Sequence, residues 1–478
     1  MMMVSACRRR ISSGSRVFAN TELHMRHIDA VGFDYDFTLA AYKPALQELI
    51  YDSARDYLLS HLKYPTTLRD CKYDPNFAIR GLMFDRKHGT LFKLSARQCI
   101  SPGGIFRGRR RLGDAEAAQL YGGDPFRLHI PYTHLQKDLV PINDTFALAE
   151  ACLLADVVQL AVDENIPFDP YWLHTDVRRA VEWVHVSGTM HGTVRAAPER
   201  FLDRNVRTKE MLERTRASGK KVFLLTNSGF DFVDAGMKYL LDDDEWLSLF
   251  DVAIFESSKP GFFESQKPFR RLNVDNSFAK WGEVRPADID RGRSLVGGSL
   301  QEFMRLTGWV GKRVLYFGDH VFADLQEPAR ESGWATGAII SEVEEHVAVI
   351  ESDAYGALLR EAVANEAALA QNDSVGRSGS ESGGARKPSK FFTDMRALNY
   401  RKRGAMFNAN FGNLFRSQGD TSSYASFVQR YADVYTSDVN NLLFYPEDCC
   451  FRRPEMGNMP HEANAAAGAH GGMSPSLP

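Results

Sequence analysis

The sequence predicts an α/β protein with a parallel, doubly wound sheet and a second, α+β unit inserted after the first core strand. Alternation of apolar strands with amphipathic helices is typical of such sheets, which bind ligands at the carboxyl ends of their strands. Helical patterns such as Thr208–Gly219 lie between or after the strands. Four apolar segments each end in polar residues, and these are Ala30–Phe33, Lys220–Gly229, Phe250–Pro260 and Lys312–His320.

Composition and charge exclude several classes of protein. The chain has 478 residues and 44% hydrophobic content, which suits a soluble globular protein of more than one domain. A formal net charge of −3 gives no extended field for nucleic acid or an anionic membrane, so any anion site must be local. The six cysteines lack C-x-x-C spacing and predict reduced thiols rather than a disulfide framework or a zinc site.

Two segments bear on location. The most apolar stretch, Ala151–Val162, is short and contains Asp156, so it predicts a buried helix and no membrane span. Residues 1–16 carry four arginines and no acid, a composition typical of a mitochondrial transit peptide or of a disordered basic leader. We expect a cytoplasmic protein, with the mitochondrion as the alternative.

The composition also changes along the chain and predicts its organisation. Residues 371–390 are rich in Gly and Ser without aromatic residues, and helical spacing of apolar residues resumes after them. The predicted units are a core of 17–50 and 208–350, an inserted cap domain of 51–207, a helical extension of 351–371, a flexible linker of 372–390, a helical C-terminal region of 391–450 that packs on the core, and a disordered tail of 451–478.

Acidic residues follow the first and last of the four core strands. Asp34 and Asp36 come just after Phe33, Asp319 lies near the end of the Lys312–His320 segment, and Asp324 follows that segment. Each motif alone suits an ordinary turn or helix cap as well as a functional site. Together, at the converging ends of parallel strands, they predict a carboxylate cluster that needs a cation, and ligands without His or Cys select Mg²⁺.

Magnesium chemistry on a phosphate assigns a role to each acid. Asp34, the first acid after the strand, is the expected nucleophile and a metal ligand. Asp36 is the expected general acid and base, and a second metal ligand. Asp319 is expected to complete the set of metal ligands. Asp324 is expected to orient Asp319 without binding the metal itself.

The middle two strands are expected to supply the groups that hold the phosphate. Thr226 and Asn227 follow the second strand near a helix N-terminus, where hydroxyl and N–H groups bind phosphate oxygens. Lys259 follows the third and places positive charge against the charge of the transferred phosphoryl group.

These motifs resemble a known group of enzymes. The segments GFDYDFTLA, LLTNS, SSKPGFF and YFGDHVFAD are similar to the four signature motifs of the haloacid dehalogenase superfamily, in particular its cytosolic purine 5′-nucleotidase and 5′-nucleotidase domain-containing branch. The likeness runs from about residue 17 to 446. It implies a Rossmann-like core with a cap after the first motif, an Mg²⁺-dependent aspartyl-phosphate mechanism and nucleoside monophosphate substrates.

The resemblance also implies a nucleotide pocket with several departures from the family pattern. Ala147 stands where the family has an asparagine, Glu182 replaces an aspartate, and His191 replaces a lysine. Simple core packing is the alternative role for Phe146 and His185. The substrate-binding residues implied are Phe146, Arg178, Glu182, His185 and His191.

The sequence therefore predicts an Mg²⁺-dependent 5′-nucleotidase that hydrolyses nucleoside 5′-monophosphates and forms a homo-oligomer. A phosphatase of the same superfamily acting on another phosphoester is one alternative. A non-catalytic scaffold that retains the fold is the other, although a scaffold has no need to hold repelling carboxylates together.

Overall fold

The computed structural model describes residues 16–100, 103–122, 128–129, 137–272, 283–286, 289, 292–375, 390–417 and 419–453. In these ranges the strands, in chain order, are β1 Phe18–Ala19, β2 Leu23–His24, β3 Ala30–Phe33, β4 Leu82–Asp85, β5 Thr90–Lys93, β6 Cys99–Ile100, β7 Phe106–Arg107, β8 Arg110–Arg111, β9 Leu128–His129, β10 Leu139–Ile142, β11 Lys221–Leu225, β12 Val252–Phe255, β13 Phe269–Arg271, β14 Arg293–Gly297, β15 Val314–Gly318, β16 Ala335–Ile339, β17 Arg416–Ser417, β18 Asp420–Thr421, β19 Val434–Thr436 and β20 Cys450–Phe451. The α-helices are Pro44–Ser60, Asp114–Tyr121, Ala147–Asp163, Pro170–Val186, Thr189–Ala196, Pro198–Phe201, Arg207–Ala217, Phe230–Leu241, Gly261–Glu264, Leu300–Thr307, Glu342–Ile350, Asp353–Val375, Lys390–Ala405 and Ser423–Tyr431.

The fold is mixed α/β, built on one large sheet that is mainly parallel. Its nine strands run in the order β1-β19-β16-β15-β3-β11-β12-β14-β13. All neighbours from β19 to β14 are parallel, and the edge strands β1 and β13 pair antiparallel. The four core strands predicted from the sequence are β3, β11, β12 and β15, which are adjacent in this sheet.

The central strands are buried on both faces, as the continuous apolar runs in the sequence require. Val31 and Phe33 of β3 pack in one hydrophobic cluster, and Ala30 packs in a second on the other side. Gly32 allows the ring of Phe223 to cross β3, since a Cβ at Gly32 would lie 2.1 Å from that ring. Such close packing fixes the backbone that carries Asp34.

The strand order reverses at β3. From β3 the chain proceeds to β11, β12 and β14 on one side, and then returns to β15 and β16 on the other. Connections therefore leave the carboxyl ends of β3 and β15 in opposite directions, which opens a crevice there. Asp34 and Asp319 border that crevice because they are the first residues after these two strands.

The segment between β3 and β11 contains a second, antiparallel sheet of five strands in the order β10-β4-β5-β7-β8. Its helices Ala147–Asp163 and Pro170–Val186 pack against Pro44–Ser60. The boundary predicted between residues 50 and 51 falls inside that last helix, whose buried face includes Ile50, Tyr51 and Ala54. The whole helix therefore packs with the inserted segment.

The predicted helical region 391–450 is only partly helical. Helices Lys390–Ala405 and Ser423–Tyr431 form as expected, but the region also contains β17, β18 and β19. The helix Ser423–Tyr431 ends at Ala432, where the backbone becomes extended. The β-branched and aromatic residues of β19 then pair with β16, which would otherwise be an edge strand of the sheet. The predicted tail begins with Phe451 of β20, which is buried. Most of the predicted leader and tail, residues 1–15 and 454–478, lies outside the described residues.

Membrane and thiol predictions can be compared with the described residues. There, none of the helices has the length and apolar character needed to cross a bilayer. The Ala147–Asp163 helix is mostly buried, as predicted. Cys71, Cys99, Cys152, Cys449 and Cys450 are all free, so the predicted absence of a disulfide framework holds for these five.

The helix Asp353–Val375 extends four residues beyond the predicted start of the linker at 372, and it packs against Lys390–Ala405. A helix already formed gains one hydrogen bond for each added residue, so it continues into a polar sequence.

Residues 376–389 of the predicted linker lie outside the described part of the chain. We expect that a Gly/Ser segment of equal length in place of 376–389 leaves the activity predicted from the sequence near its wild-type value, because the composition of 376–389 offers little apolar area to bury. A steady-state assay checks this, and a large loss would mean that the segment contacts the active site or a partner.

Candidate active site

The site lies at the crevice where the strand order reverses. A cavity of about 580 Å³ opens there, between the ends of the core strands and the helices of the inserted segment. With the exception of Thr226, every site residue predicted from the sequence lines this cavity. Thr226 is fully buried at the end of β11. The predicted residues in the lining are Asp34, Asp36, Phe146, Arg178, Glu182, His185, His191, Asn227, Lys259, Asp319 and Asp324.

Three buried carboxylates form the floor of the cavity. Oxygen atoms of Asp34, Asp319 and Asp324 lie within 4.8 Å of one another. The ammonium of Lys259 lies 2.9 Å from Asp34 Oδ1 and 2.7 Å from Asp324 Oδ1. The inserted segment reaches Asp319, because the Thr145 hydroxyl donates to it at 3.3 Å. Lys259 thus pairs with two of the three acids, and the guanidinium of Arg80 lies 3.9 Å from the third, Asp319.

The electrostatics follow from this crowding. Burial raises the pKa of Asp34 to about 7, and Asp324 and Asp36 add to the effect while Lys259 opposes it. Burial, with Asp144 nearby, also raises the pKa of Asp319 well above its usual range. For Lys259, burial alone would lower the pKa, but Asp324 and Asp34 outweigh it and the pKa is raised. The cluster carries less positive charge than its carboxylates require.

The carboxylate of Asp36 lines the same cavity and is held by two hydroxyl groups. Its two oxygens accept hydrogen bonds of 2.6 Å from the hydroxyls of Tyr42 and Ser228. Burial raises the pKa of Asp36, and the two hydroxyl donors oppose the shift. Asp324, expected behind the metal ligands, is the third acid of the trio, whereas Asp36, expected as a second metal ligand, is not one of its members. A carboxyl with a raised pKa, fixed by two hydroxyls, suits proton transfer.

A hydrogen-bonded loop places the lysine. Asn227 donates from its side chain to the carbonyl of Lys259 at 3.0 Å, and its amide oxygen accepts from the Lys259 N–H at 2.6 Å. Ser257 donates to the same amide oxygen at 2.9 Å. The Thr226 hydroxyl accepts from the Ser228 N–H at 3.1 Å, which turns the chain toward the Phe230–Leu241 helix. Asn227 thus links the ends of β11 and β12.

The opposite wall of the cavity is aromatic. The ring of Phe146 meets Phe37 and His185 edge to face, at centroid distances of 4.7 and 5.5 Å. His191 contacts Phe232 at 4.7 Å. Burial lowers the pKa of His185 to about 4, and burial also lowers the pKa of His191. Both imidazoles are therefore mostly neutral at physiological pH.

Among the described residues of the lining, the one arginine is paired with acids. Arg178 donates to Glu150 at 3.0 Å and to Glu182 at 3.1 Å. Glu150 is buried, which raises its pKa, and Arg178 opposes that shift. Glu150 lies one helical turn after Phe146, in a segment whose pattern predicts an apolar helix. Its pairing with Arg178 therefore could not be predicted from the sequence.

Other residues of the site were also missed. Ser228 directly follows Asn227 in the second motif, and its place beside the two predicted residues was the available signal. Tyr316 accepts from Lys259 at 2.8 Å and donates to the Leu225 carbonyl at 2.9 Å, but in the sequence it is one more apolar residue of β15. Arg80 lies 3.9 Å from Asp319 and pairs with Glu342, contacts that only the folded chain brings together.

Comparison with known proteins shows the family of the chain. The family model described as the 5′ nucleotidase family matches residues 17–464. A 5′-nucleotidase domain-containing protein of Dictyostelium discoideum is 40% identical over 455 residues, which covers 93% of this chain and 74% of that protein. The human and rat proteins named 5′-nucleotidase domain-containing protein 2 are each 36% identical over 454 residues, covering 94% of this chain and 85% and 80% of theirs. The chain therefore belongs to the 5′-nucleotidase family.

Proposed function

We propose that the protein is a phosphomonoesterase that hydrolyses nucleoside 5′-monophosphates through an aspartyl-phosphate intermediate. The observation that supports this best is the group of Asp34, Asp319, Asp324 and Lys259 at the reversal of strand order, open to a cavity of about 580 Å³. A base and sugar fit a cavity of this size, which lies within the range of small-molecule sites. The names of the family and of the relatives point to the same substrate class.

The residues of the site support a two-step transfer. Asp34 attacks phosphorus with a carboxylate oxygen, and the bond from phosphorus to the nucleoside 5′-oxygen breaks. Asp36 gives its proton to that leaving oxygen and then takes a proton from the water that attacks the aspartyl phosphate. Phosphate leaves and Asp34 is restored. Lys259 offsets the negative charge on the phosphoryl oxygens, and Asn227 holds the loop that carries Lys259.

A divalent cation fits the chemistry of the donor set. Three buried carboxylates within 4.8 Å of one another offer hard oxygen ligands, and the described residues supply one close ammonium to them. We propose Mg²⁺, held by Asp34 and Asp319 with Asp324 behind them. When bound, it supplies positive charge to the phosphoryl oxygens. Asp36 remains available for proton transfer because Tyr42 and Ser228 orient it.

The same reasoning extends to architecture. We propose that the large sheet is a core of the haloacid dehalogenase type and that the inserted segment acts as its cap. Thr145 of that segment reaches Asp319, and Phe146, Arg178 and His185 face the cavity from it. A cap over the crevice excludes water from the aspartyl phosphate until the leaving group has departed.

The proposal is tested by phosphate release from a panel of phosphoesters, with Mg²⁺ and with a chelator. We expect hydrolysis of 5′-monophosphates with Mg²⁺ and none after chelation, and no activity in Asp34→Asn purified in parallel, which controls for contaminating phosphatases. Preference for a phosphorylated sugar or protein would support the alternative phosphatase. Binding of Mg²⁺ without turnover of any ester would support the scaffold.

We expect base selectivity to be low and turnover of purine nucleotides to be modest. Ala147 lacks a polar side chain for a base edge, and the histidine at 191 lacks a fixed positive charge near Asp36. Ala147→Asn combined with His191→Lys should therefore raise turnover of purine monophosphates. Kinetics on inosine, guanosine, adenosine and pyrimidine monophosphates measure this.

The matched control for the double variant is Ala147→Asn with His191→Gln, which keeps residue 191 polar and neutral. A gain with Lys but not with Gln would assign the effect to charge. A wild-type enzyme that is fast and selective for one base, or a double variant without any gain, would show that other residues bind the base.

A further inference from the structure

A second cluster of metal-binding side chains lies where the two ends of the described chain meet. Strands β2 and β20 pair antiparallel, and His24 is directly opposite Cys450. Glu22 precedes β2 by one residue. Cys450 Sγ lies 3.7 Å from His24 Nε2 and 3.8 Å from Glu22 Oε1, and those two atoms are 2.7 Å apart. One thiol, one imidazole and one carboxylate therefore converge on a single point.

These distances are close to those of a tetrahedral zinc site. Zinc bonds of about 2.0–2.3 Å place neighbouring ligand atoms about 3.3–3.6 Å apart. The two distances from the thiol exceed this range by a few tenths of an ångström. The contact between Glu22 and His24 is a hydrogen bond, and it must open by about half an ångström. Such shifts are within the reach of these side chains, because Glu22 is 60% and His24 30% exposed.

The chemistry of the donors selects the ion. Sulfur and imidazole nitrogen favour zinc over magnesium or calcium, which bind through oxygen. The cluster thus differs in kind from the all-carboxylate group of the active site. Three protein ligands with an exposed carboxylate leave the fourth position to water. The alternative is a surface ion pair between Glu22 and His24 without metal. It would explain their 2.7 Å contact, but it would not explain why the thiol of Cys450 lies opposite them on the neighbouring strand.

The adjacent cysteine provides an internal comparison. Cys449 packs against the main hydrophobic cluster and is not one of the three residues that converge. Cys450 points to the other side of β20, toward His24. Cys449 and Cys450 are neighbours in sequence, but their side chains have different orientations and surroundings.

We propose that Glu22, His24 and Cys450 bind one Zn²⁺, which joins β2 to β20 near the two ends of the described residues. His24 and Cys450 are 426 residues apart in sequence. A link that closes so long a loop restricts the unfolded chain strongly, so the ion should stabilise the fold. The cysteine spacing in the sequence gave no indication of zinc, because the ligands come from opposite ends of the chain.

The test is a titration of the full-length protein with Zn²⁺ and, as a spectroscopic probe, with Co²⁺ under reducing conditions. All proteins carry Cys7→Ser, since Cys7 lies outside the described residues. We expect one equivalent of Co²⁺ to give a thiolate-to-cobalt charge-transfer band that Zn²⁺ abolishes. The active-site cluster contains no thiol among the described residues, so metal bound there does not give this band.

The matched variants are Cys450→Ser and Cys449→Ser. We expect the band to disappear in the first and to persist in the second, and the zinc-induced rise in Tm to follow the same pattern. Glu22→Gln and His24→Ala keep the thiol and should weaken affinity at least about tenfold, equivalent to about 1.4 kcal/mol. Absence of the band in the parent protein, or its persistence in Cys450→Ser, would overturn the proposal.

Discussion

Asp34→Asn should abolish turnover and leave the fold intact. An amide cannot attack phosphorus, and it binds a cation weakly. Lys259 keeps a partner in the variant, because Asp324 remains 2.7 Å from its ammonium. Burst and steady-state measurements of phosphate release, with a circular dichroism spectrum as the check on folding, test the nucleophile assignment. Substantial residual activity in a correctly folded variant would contradict it.

The same variant should be as stable as the wild type or more stable when metal is removed, because one of three crowded acids has lost its charge. The pKa of Asp34 is raised to about 7. The folded state therefore favours the protonated form of Asp34. Its contribution to the free energy of unfolding is complete below the unfolded-state pKa near 4 and is lost as pH rises through about 7. In chelator, the variant should gain more in Tm at pH 8 than at pH 5. An equal difference at both values would contradict this explanation.

Asp36→Asn should slow turnover by about 10²- to 10⁴-fold, the usual range for loss of a general acid. The fold should persist, since the hydroxyls of Tyr42 and Ser228 can reorient to bond an amide. The loss should be largest for nucleoside leaving groups, which need a proton, and small for a nitrophenolate, which does not. The measurement is kcat/KM on a nucleoside monophosphate and on p-nitrophenyl phosphate.

Ser228→Ala is the control for this experiment. It removes one hydrogen bond to Asp36 but keeps the carboxyl, so we expect a much smaller loss on both substrates. If Asp36→Asn lost activity equally on good and poor leaving groups, the residue would act in binding or in folding and not as an acid.

Local sequence determined which chemical groups stand at the strand ends. Asp34, Asn227, Lys259 and Asp319 each follow an apolar run, and parallel strands bring the ends of such runs to one edge of a sheet. The core strands and the functional groups at their ends could therefore be predicted. Apolar runs mark strands reliably because burial on both faces leaves no polar positions in them.

Contacts between distant parts of the chain could not be predicted in this way. That Ser228 bonds to Asp36 depends on the pairing of β3 with β11, and that Glu150 meets Arg178 depends on how two helices of the inserted segment pack against each other. The strand β19 was missed because its pairing depends on a free edge beside β16, which exists only in the folded sheet. His24 and Cys450 likewise meet through a strand pair with nothing local to indicate it. Residue spacing fixes direction within one element, whereas distances between elements are set by the packing of all of them together.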